Sequence, residues 1–335
     1  MTSMNIMGGF VMNTSSQNSY GRIYAAHSYK PKKKFGQHFL NDQFIFDKII
    51  ESADLKENDI VWEIGAGMGA LTDNLLKQNI DLTIFEIDND LIPLLEKKYE
   101  NKTCNPSQGG GEACSFQSLK IIHKDILKID WMDIVTQASS VCNTPPPTFM
   151  GGAICYKKIK IVTNLPYQIS SPFLYKITEH HQSIECVVVM LQKEVAKRVC
   201  AKPGCKDYGV LSLKTQFYFE TEYLFEVSPE KFTPPPEVHS AVIRLLPRKD
   251  TPQLKNIDFF WNIVESAFRM KRKTLRNNLK GFMPNNVSTI SDCQNVTPHK
   301  SPIDLQRRGE TLSEKEFISL YEYLLQFIDK CSGNF

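Results

Sequence analysis

Hydrophobic and polar residues form a pattern in which predicted strands alternate with predicted helices. Short β-branched or apolar runs are typical of buried strands, and apolar residues that recur every three to four positions are typical of helices. The pattern predicts strands at 60–64, 82–85, 119–123, 158–163, 186–191, 213–219, 223–227 and 241–245. It predicts helices at 43–53, 71–78, 90–99, 192–200, 259–279 and 313–328, with a further helix starting at Ser171. Such repeated units indicate a mostly parallel α/β sheet that binds ligands at the carboxyl ends of its strands.

The composition divides the chain into a leader, a sheet domain and a helical domain. Residues 1–30 are rich in Ser, Asn, Met and Gly and lack the regions of a secretory signal, so we interpret them as a disordered leader. Residues 31–246 contain the predicted strands, with loop insertions at about 101–118 and 136–156. A proline-containing linker then opens residues 247–335, which we predict to be a small C-terminal all-α domain.

Composition and charge narrow the classes of function. The chain has 335 residues, of which 41% are hydrophobic and 23% are charged, as is ordinary for a soluble globular protein. The net charge is only +3, so a nucleic-acid surface would have to be a local patch. The nine cysteines lack metal-site spacing, and no apolar run approaches the ~20 residues of a membrane span. We expect a cytoplasmic protein with free thiols, without a metal and without a membrane span.

A polar turn follows the predicted strand at 158–163 and carries the strongest candidate chemistry. Pro166 stiffens the turn, Asn164 offers a side-chain carbonyl, and Leu165 offers a main-chain carbonyl beside it. Two acceptors that converge on an exocyclic amino group would orient its nitrogen lone pair toward an electrophile. Tyr167 offers a face on which a flat base can stack, worth about 1–3 kcal/mol. The alternative interpretation is an ordinary Asn–Pro turn after a strand.

A glycine-rich turn joins the strand at 60–64 to a helix. Gly65, Gly67 and Gly69 form the pattern G-x-G-x-G, which differs from the G-x-G-x-x-G of dinucleotide sites. Glycines let the backbone approach a ligand, and the amino terminus of the helix carries partial positive charge. With Glu63 ahead of it, the turn suits a ligand that carries a carboxylate rather than a pyrophosphate.

Two acidic residues follow the next two strands. Glu86 lies about 20 residues beyond the glycine turn, where ribose hydroxyls are bound in folds of this type. Asp125 follows the strand at 119–123 and can accept from an adenine amino group. The alternatives are that Glu86 is a surface carboxylate and that Asp125 caps a turn.

Two basic segments are candidates for phosphate binding. The first opens with lysines that alone are more typical of a solvated surface: Lys30, Lys32, Lys33 and Lys34. The second has six bases in twelve residues and no acid, which favours phosphate binding: Arg269, Lys271, Arg272, Lys273, Arg276 and Lys280.

These segments together resemble the KsgA-type ribosomal RNA small-subunit adenine N6-dimethyltransferase family. The resemblance runs from about residue 32 to 323, apart from the insertions, with the motifs in the family's order. They are FGQHFL at 35–40, EIGAGMGALT at 63–72, FEID at 85–88, NLPYQISSPFL at 164–174, MLQKEVAKR at 190–198, YGVLS at 208–212, FTPPPEVHSAVIRL at 232–245 and KRKTLRNNL at 271–279. One departure is Gln168, which stands where Asn is common in the family.

The resemblance implies a Rossmann-like class I methyltransferase sheet and S-adenosylmethionine as the cofactor, which would supply the electrophile as a methyl group on a sulfonium. It implies cofactor contacts from His38 and Leu40, with Gly65 near the methionine part, Glu86 at the ribose, Asp125 at the adenine and Asn164 beside the reacting centre.

The resemblance also implies a substrate and a catalytic turn. The substrate would be two adjacent adenines near the 3′ end of small-subunit rRNA, each dimethylated at N6, within an immature 30S-type particle that a monomer binds. Asn164, Leu165, Pro166 and Tyr167 would form the turn, and Phe232 would cover the target base opposite Tyr167. The two basic segments would bind the rRNA.

Two other interpretations stay open. The erythromycin-resistance rRNA methyltransferases share the catalytic turn but modify the large subunit. A non-catalytic RNA- or DNA-binding descendant, acting in assembly or transcription, could keep the fold. The segments at 193–198, 208–212 and 234–242 favour the small-subunit enzyme. The intact loop at 63–69, Glu86, Asp125 and the complete turn at 164–167 argue against a binding-only protein.

Overall fold

The fold is given by a computed structural model that describes residues 29–32, 35–100, 118–131, 134, 148–150, 153–155, 157–282 and 301–332. Lys33, Lys34, most of both predicted insertions and nearly all of the predicted leader lie outside the described residues.

A seven-stranded mixed sheet forms the centre of the molecule and confirms the predicted α/β class. The described strands are β1 Phe39–Leu40, β2 Ile60–Ile64, β3 Asp81–Glu86, β4 Leu119–His123, β5 Thr148–Met150, β6 Ala153–Cys155, β7 Ile159–Asn164, β8 Ile184–Gln192, β9 Phe219–Val227, β10 Phe232–Thr233 and β11 Ser240–Pro247. The sheet order is β4-β3-β2-β7-β8-β11-β9, and β1 and β10 form a separate pair. In this sheet β4, β3, β2, β7 and β8 run parallel to one another, and β11 is antiparallel to its neighbours β8 and β9.

Helices pack on both faces of the sheet, and helices also form the region that follows the last strand in the chain. The described α-helices are α1 Gln43–Ala53, α2 Ala70–Leu75, α3 Ile92–Tyr99, α4 Ser170–Glu179, α5 Lys193–Val199, α6 Val210–Tyr218, α7 Ile257–Phe268, α8 Leu275–Asn278 and α9 Glu314–Ser332. Helix α1 has the predicted bounds, and it begins at Gln43 because the Asp42 carboxylate accepts a hydrogen bond from the Ile45 N–H at 3.1 Å.

Neighbouring residues of the central strands pack on opposite faces of the sheet. Ile161 contributes to a buried cluster that contains Trp62 and Trp131, whose ring centroids lie 5.3 Å apart. Val162 contributes to the cluster on the other face, which contains Phe46. Because both faces are covered, the central parallel strands β2, β7 and β8 are mainly apolar, and their polar residues lie near the strand ends.

Residues 213–219 were predicted to form a strand, and this prediction is wrong, because most of them belong to helix α6. The helix is buried on two sides. Leu211 packs with the sheet, whereas Leu213 and Phe217 pack in a third cluster with residues of α7 and α9. A helix that is buried on two faces has no single apolar stripe along its length. Its sequence therefore lacks the usual helical period, and its apolar residues resemble the alternating pattern of a strand.

The prediction of a single helix at 259–279 is also wrong, because the structure has two helices there, joined by a basic turn. Helix α7 ends at Phe268 and α8 begins at Leu275. The Asn278 side-chain amide donates to the carbonyl oxygens of Ala267 at 2.8 Å and Met270 at 3.2 Å, so a residue beyond the turn bonds the end of α7. The basic residues therefore lie mainly on an exposed turn instead of along a helix.

Among the described residues, no helix is long and apolar enough to cross a bilayer. The same residues contain no group of three or more His, Cys, Asp and Glu side chains placed to hold a metal ion.

The hydrogen bonds of Ser212, in the first turn of α6, allow the stability of this helix to be tested. The buried Ser212 hydroxyl accepts from the Gly209 N–H at 3.0 Å and donates to the Arg198 carbonyl at 2.5 Å. Ser212→Ala leaves both groups without this partner, so we expect the free energy of unfolding to fall by about 1–3 kcal/mol in urea titrations. Ser319→Ala, which removes only a bond from the hydroxyl to the carbonyl four residues earlier, is the control and should change it by less than about 0.5 kcal/mol. Equal losses would contradict this role of Ser212.

Candidate active site

A cavity opens at the carboxyl ends of β2, β3 and β7, where the predicted parallel sheet would bind a ligand. It encloses about 1170 Å³ including its open mouth. Its lining brings together nine of the ten residues predicted to contact cofactor or base: His38, Leu40, Gly65, Glu86, Asp125, Asn164, Leu165, Pro166 and Tyr167. Residues 35–40, which we call the N-terminal wall, line one side of the cavity without a gap.

The glycine turn is closely packed between the N-terminal wall and the 164–167 turn. Gly65 and Gly67 have φ angles of +73° and +59°, which favour glycine. A Cβ on Gly67 would lie 2.7 Å from the Phe39 ring, and a Cβ on Gly65 would lie 3.1 Å from Pro166 Cδ. The absence of side chains therefore allows three separate segments to meet at one end of the cavity.

Glu86 holds the glycine turn through hydrogen bonds. Its carboxylate accepts from the backbone N–H groups of Gly67 at 3.0 Å, Ile87 at 2.8 Å and Asp88 at 2.9 Å. Burial raises the pKa of Glu86, and these three donors oppose that effect. Because a carboxylate has about four acceptor positions, Glu86 can still accept from a hydroxyl group in the cavity.

Glu63 is a second carboxyl group at the cavity and is 2% exposed. Burial raises its pKa to about 8, even though the Thr72 hydroxyl donates to it at 2.6 Å. With Glu86 and Asp125 it supplies polar groups amid apolar side chains. This chemistry suits a ligand that carries hydroxyl and amino groups.

Hydrogen bonds to neighbouring strands hold the 164–167 turn in place. The Thr163 hydroxyl donates to the Ile64 carbonyl at 2.6 Å, and the Leu165 N–H donates to the Met190 carbonyl at 3.3 Å. The turn then closes into a short 3-10 helix, Tyr167–Ile169. The tip of β7 is thus fixed between β2 and β8.

Asn164 and Tyr167 are both oriented by the N-terminal wall. The Asn164 side-chain N–H donates to the His38 carbonyl at 3.5 Å, which leaves the amide oxygen available as an acceptor. The Tyr167 ring stacks on the His38 ring with centroids 5.7 Å apart, and its hydroxyl lies 2.5 Å from the Ser240 hydroxyl. Burial raises the pKa of Tyr167, so the phenol stays neutral at ordinary pH.

Phe232 does not line the cavity, although it was predicted to cover a bound base. It pairs with Leu40 through β1 and β10, and its side chain is 3% exposed within the core. The same loop instead reaches the site through the Pro234 carbonyl, which lies 2.8 Å from His38 Nδ1. A base contact by Phe232 would require the loop to move, and it stays a prediction.

The two basic segments differ in their charge partners. Lys32 pairs with Asp88 and lies 2.6 Å from Asp90, so its charge is already balanced by carboxylates. The six basic residues of the second segment are all exposed, and no salt bridge within the described ranges involves them: Arg269, Lys271, Arg272, Lys273, Arg276 and Lys280. Among the described residues, Lys32 of the first segment is thus charge-balanced, whereas the second segment presents a group of basic side chains without carboxylate partners to solvent.

The sequence reasoning did not single out Gln37 and Ile87, which also line the cavity. Gln37 lies in the FGQHFL segment, where only His38 and Leu40 were named. Ile87 follows Glu86 and is 45% exposed, which is high for a large apolar side chain at a strand end. Both residues lie within motifs that were already assigned to the site, FGQHFL and FEID, and this position could have identified them as lining residues.

Comparisons with known proteins agree with this geometry. Residues 28–320 match the family described as Ribosomal RNA adenine dimethylase. A Bacillus licheniformis protein named Ribosomal RNA small subunit methyltransferase A is 37% identical over 91% of this chain and 95% of its own length. A Coxiella burnetii protein of the same name is 36% identical over 88% of this chain and 97% of its own length.

Two solved structures share the fold. A crystal structure of a dimethyladenosine transferase from Plasmodium falciparum has a TM-score of 0.62 and 26% identity, covering 88% of this chain and 98% of that one. The 23S rRNA methyltransferase ErmE has a TM-score of 0.56 and 24% identity, covering 86% of this chain and all of that one. At that identity the second likeness shows the fold alone.

The buried Glu63 carboxyl should make stability depend on pH. Its ordinary value is 4.5 and its pKa in the folded chain is about 8, so between these limits the folded state binds more protons than the unfolded state. The free energy of unfolding should therefore fall as pH rises through this window, by roughly 2–4 kcal/mol from this group.

Urea unfolding of wild type and Glu63→Gln from pH 5 to 8 measures this effect. The variant should lose less stability than wild type as pH rises, because glutamine does not titrate. The exposed Glu57→Gln is the matched control and should follow wild type. Parallel curves for wild type and Glu63→Gln would contradict the protonation of Glu63.

Proposed function

Because the chain belongs to the ribosomal RNA adenine dimethylase family, we propose that it dimethylates N6 of two adjacent adenines near the 3′ end of small-subunit rRNA. S-adenosylmethionine is the methyl donor. Curated relatives at 34–38% identity that carry the name Ribosomal RNA small subunit methyltransferase A support the choice of subunit.

One observation of the structure supports this function above the others. The glycine turn with Glu86 and the turn with Asn164 line the same cavity, with Gly65 packed against Pro166. A ligand held at the first turn therefore lies next to an amino group held at the second. A protein that only bound RNA would have no use for this arrangement.

The residues of the cavity fit S-adenosylmethionine. Glu86 retains an acceptor position for a ribose hydroxyl, and Asp125 offers a carboxylate to an amino group. Ile87, exposed at the mouth, gives a flat adenine an apolar surface to cover. When bound, this cofactor supplies a methyl group on a positively charged sulfur.

The 164–167 turn positions the target adenine. The Asn164 amide oxygen and the Leu165 carbonyl accept from the N6 amino group, so that the nitrogen lone pair is withdrawn from the ring and directed into the cavity. No strong base is required, because the amine loses its proton after it has become cationic. Positioning and fixed dipoles account for most of the rate.

The base must leave its stack to reach this turn, at a cost of a few kcal/mol. Tyr167 offsets part of that cost by stacking, and its ring is already held by His38 and the Ser240 hydroxyl. Phe232 is the proposed cover on the opposite side of the base, after movement of its loop.

The RNA is bound mainly by the exposed turn after α7. We assign residues 31–246 to a methyltransferase domain and 247–335 to an rRNA-binding domain within an immature 30S-type particle in the cytoplasm. Lys32 contributes less than the residues of the α7–α8 turn, because Asp88 and Asp90 already balance its charge. Since the glycine turn and the 164–167 turn of one chain line the same cavity, the site needs no second chain to complete it, and we propose that a monomer is active.

Asn164→Ala tests the catalytic assignment. It removes the amide acceptor, and we expect methyl transfer to immature small subunits to fall by about 10²–10³-fold while particle binding changes little. The measurement is transfer of radiolabelled methyl groups, with mapping of the modified nucleotides. Asn262→Ala, at an exposed asparagine of helix α7 outside the basic segment, is the control and should retain full activity.

The same assay separates the competing functions. Label in large-subunit RNA would favour the erythromycin-resistance type, and no label in either RNA would favour a non-catalytic factor. A normal rate for Asn164→Ala would rule out its proposed role.

The RNA surface has its own prediction. Replacing Lys271, Arg272 and Lys273 by alanine should weaken binding to immature small subunits and make it less dependent on salt. The slope of log K against log salt should become shallower by about 0.7–0.9 for each phosphate that the variant no longer binds. Filter binding at several salt concentrations measures both quantities.

A matched variant removes the same charge elsewhere. Lys56, Lys77 and Lys97 are exposed lysines of the sheet domain, and their joint replacement by alanine should leave the salt slope nearly unchanged. Equal effects of the two triple variants would mean that net charge, and not the α7–α8 turn, controls binding.

A further inference from the structure

Asp88 is a fully buried carboxylate that lies behind the cavity and is not part of its lining. It accepts from the Lys32 ammonium, from the Gln37 amide at 2.9 Å and from its own chain at the Asp90 N–H, 3.0 Å away. The Tyr29 hydroxyl lies 2.7 Å from the same carboxylate. The proposed mechanism gives this group no role.

Three of these partners come from the start of the chain, just before or within the N-terminal wall. Gln37 joins them to one another, because its amide oxygen lies 2.6 Å from the Tyr29 hydroxyl and accepts from the Lys32 N–H at 2.7 Å. The single hydroxyl proton of Tyr29 bonds either Gln37 or Asp88 at a given moment. Asp88 is thus the centre of a cluster that holds residues 29, 32 and 37.

The cluster is strongly polarised. Burial alone would raise the pKa of Asp88, but the bonds from Lys32, Tyr29, the Asp90 N–H and Gln37 outweigh it and lower the pKa to about 2. The carboxylate is therefore ionised at every ordinary pH. A buried charge of this kind is stable only while its donors stay in place.

Asp88 also connects this cluster to the cofactor residues. Its N–H donates to Glu86, whose other oxygen accepts from the Gly67 N–H. Phe39 of the wall packs against Gly67, and the Tyr29 ring meets the Phe39 ring edge-on at 6.2 Å. Two carboxylates at the end of β3 therefore hold different parts of the site: Glu86 bonds the glycine turn, and Asp88 bonds the N-terminal wall.

The wall is anchored differently at its two ends. Its carboxyl end, Phe39–Leu40, is paired with β10. Its middle is bonded to neighbouring loops, since His38 Nδ1 lies 2.8 Å from the Pro234 carbonyl and the Asn164 amide donates to the His38 carbonyl at 3.5 Å. Its amino end is held by the Asp88 cluster, so loss of this carboxylate would loosen that end of the wall.

We propose that Asp88 is a positioning residue that holds the N-terminal wall closed over the cofactor and so sets how long the cofactor stays bound. This inference rests on the proposed function, because it assumes that the cavity binds S-adenosylmethionine. Apparent affinity falls in proportion to the fraction of molecules whose wall is in place. The chemistry at Asn164 is not altered once the wall is closed.

Asp88→Asn in the full chain tests the proposal. Titration calorimetry with S-adenosylmethionine and with S-adenosylhomocysteine should show a dissociation constant raised by about tenfold, mainly through faster dissociation. In the methylation assay, KM for the cofactor should rise in parallel while kcat stays within about twofold. Amide exchange in residues 35–40 should become faster without any ligand.

Asp90→Asn is the matched control. Asp90 contacts the same lysine at 2.6 Å, but its side chain is 64% exposed, and no hydrogen bond joins it to Tyr29 or Gln37 among the described residues. The same substitution there should leave cofactor affinity within about twofold of wild type. An equal loss of affinity in both variants would overturn the proposal.

Tyr29→Phe provides a milder second variant in case Asp88→Asn does not fold. It removes one bond and should raise the dissociation constant by about two- to fivefold, with no change in kcat. Unchanged affinity in the folded variants, or a loss of kcat without a loss of affinity, would overturn the role of Asp88. Failure of the wild-type chain to bind S-adenosylmethionine would overturn the proposed function along with it, so the two failures are distinguishable.

Discussion

The close approach of Gly65 to Pro166 is the constraint on which the site depends. The two residues follow β2 and β7, neighbouring parallel strands whose carboxyl ends meet at one edge of the sheet. A side chain on Gly65 would press on Pro166, since its Cβ would lie 3.1 Å from the proline ring. Glycine at one strand end and a rigid proline at the next let a ligand pocket and an amine-accepting turn share a cavity.

The tip of β3 gives that cavity its shape. Glu86 bonds the glycine turn, and Asp88, two residues later, bonds the segment that begins the N-terminal wall. Both carboxylates are buried, so each is stable only with its donors present. Polar bonds at one strand end thus connect parts of the chain that are far apart in sequence, while the apolar sheet beneath keeps the strand ends fixed.

Sequence patterns predicted the parts of this structure that depend on local order. The helix at 43–53 and the strands at 60–64 and 119–123 have the predicted bounds. The carboxyl ends of parallel strands were expected to meet at one edge of the sheet, and Gly65, Glu86 and Asn164 do lie together there. The errors arose where distant contacts decide the outcome. Helix α6 is buried between the sheet and α7, which disguised its period, and Asn278 ends α7 from beyond the basic turn. The partners of Asp88 and the burial of Phe232 likewise depend on pairings that no local pattern contains.

The central claim is that donor and acceptor meet at the junction of the two strand ends. A crystal structure of the chain with S-adenosylhomocysteine and adenosine measures this directly. The account predicts the sulfur beside the glycine turn, a ribose hydroxyl on Glu86, and the adenosine N6 within hydrogen-bonding distance of Asn164 and the Leu165 carbonyl. A cofactor product bound away from Gly65, or an adenosine whose N6 points away from residue 164, would contradict it.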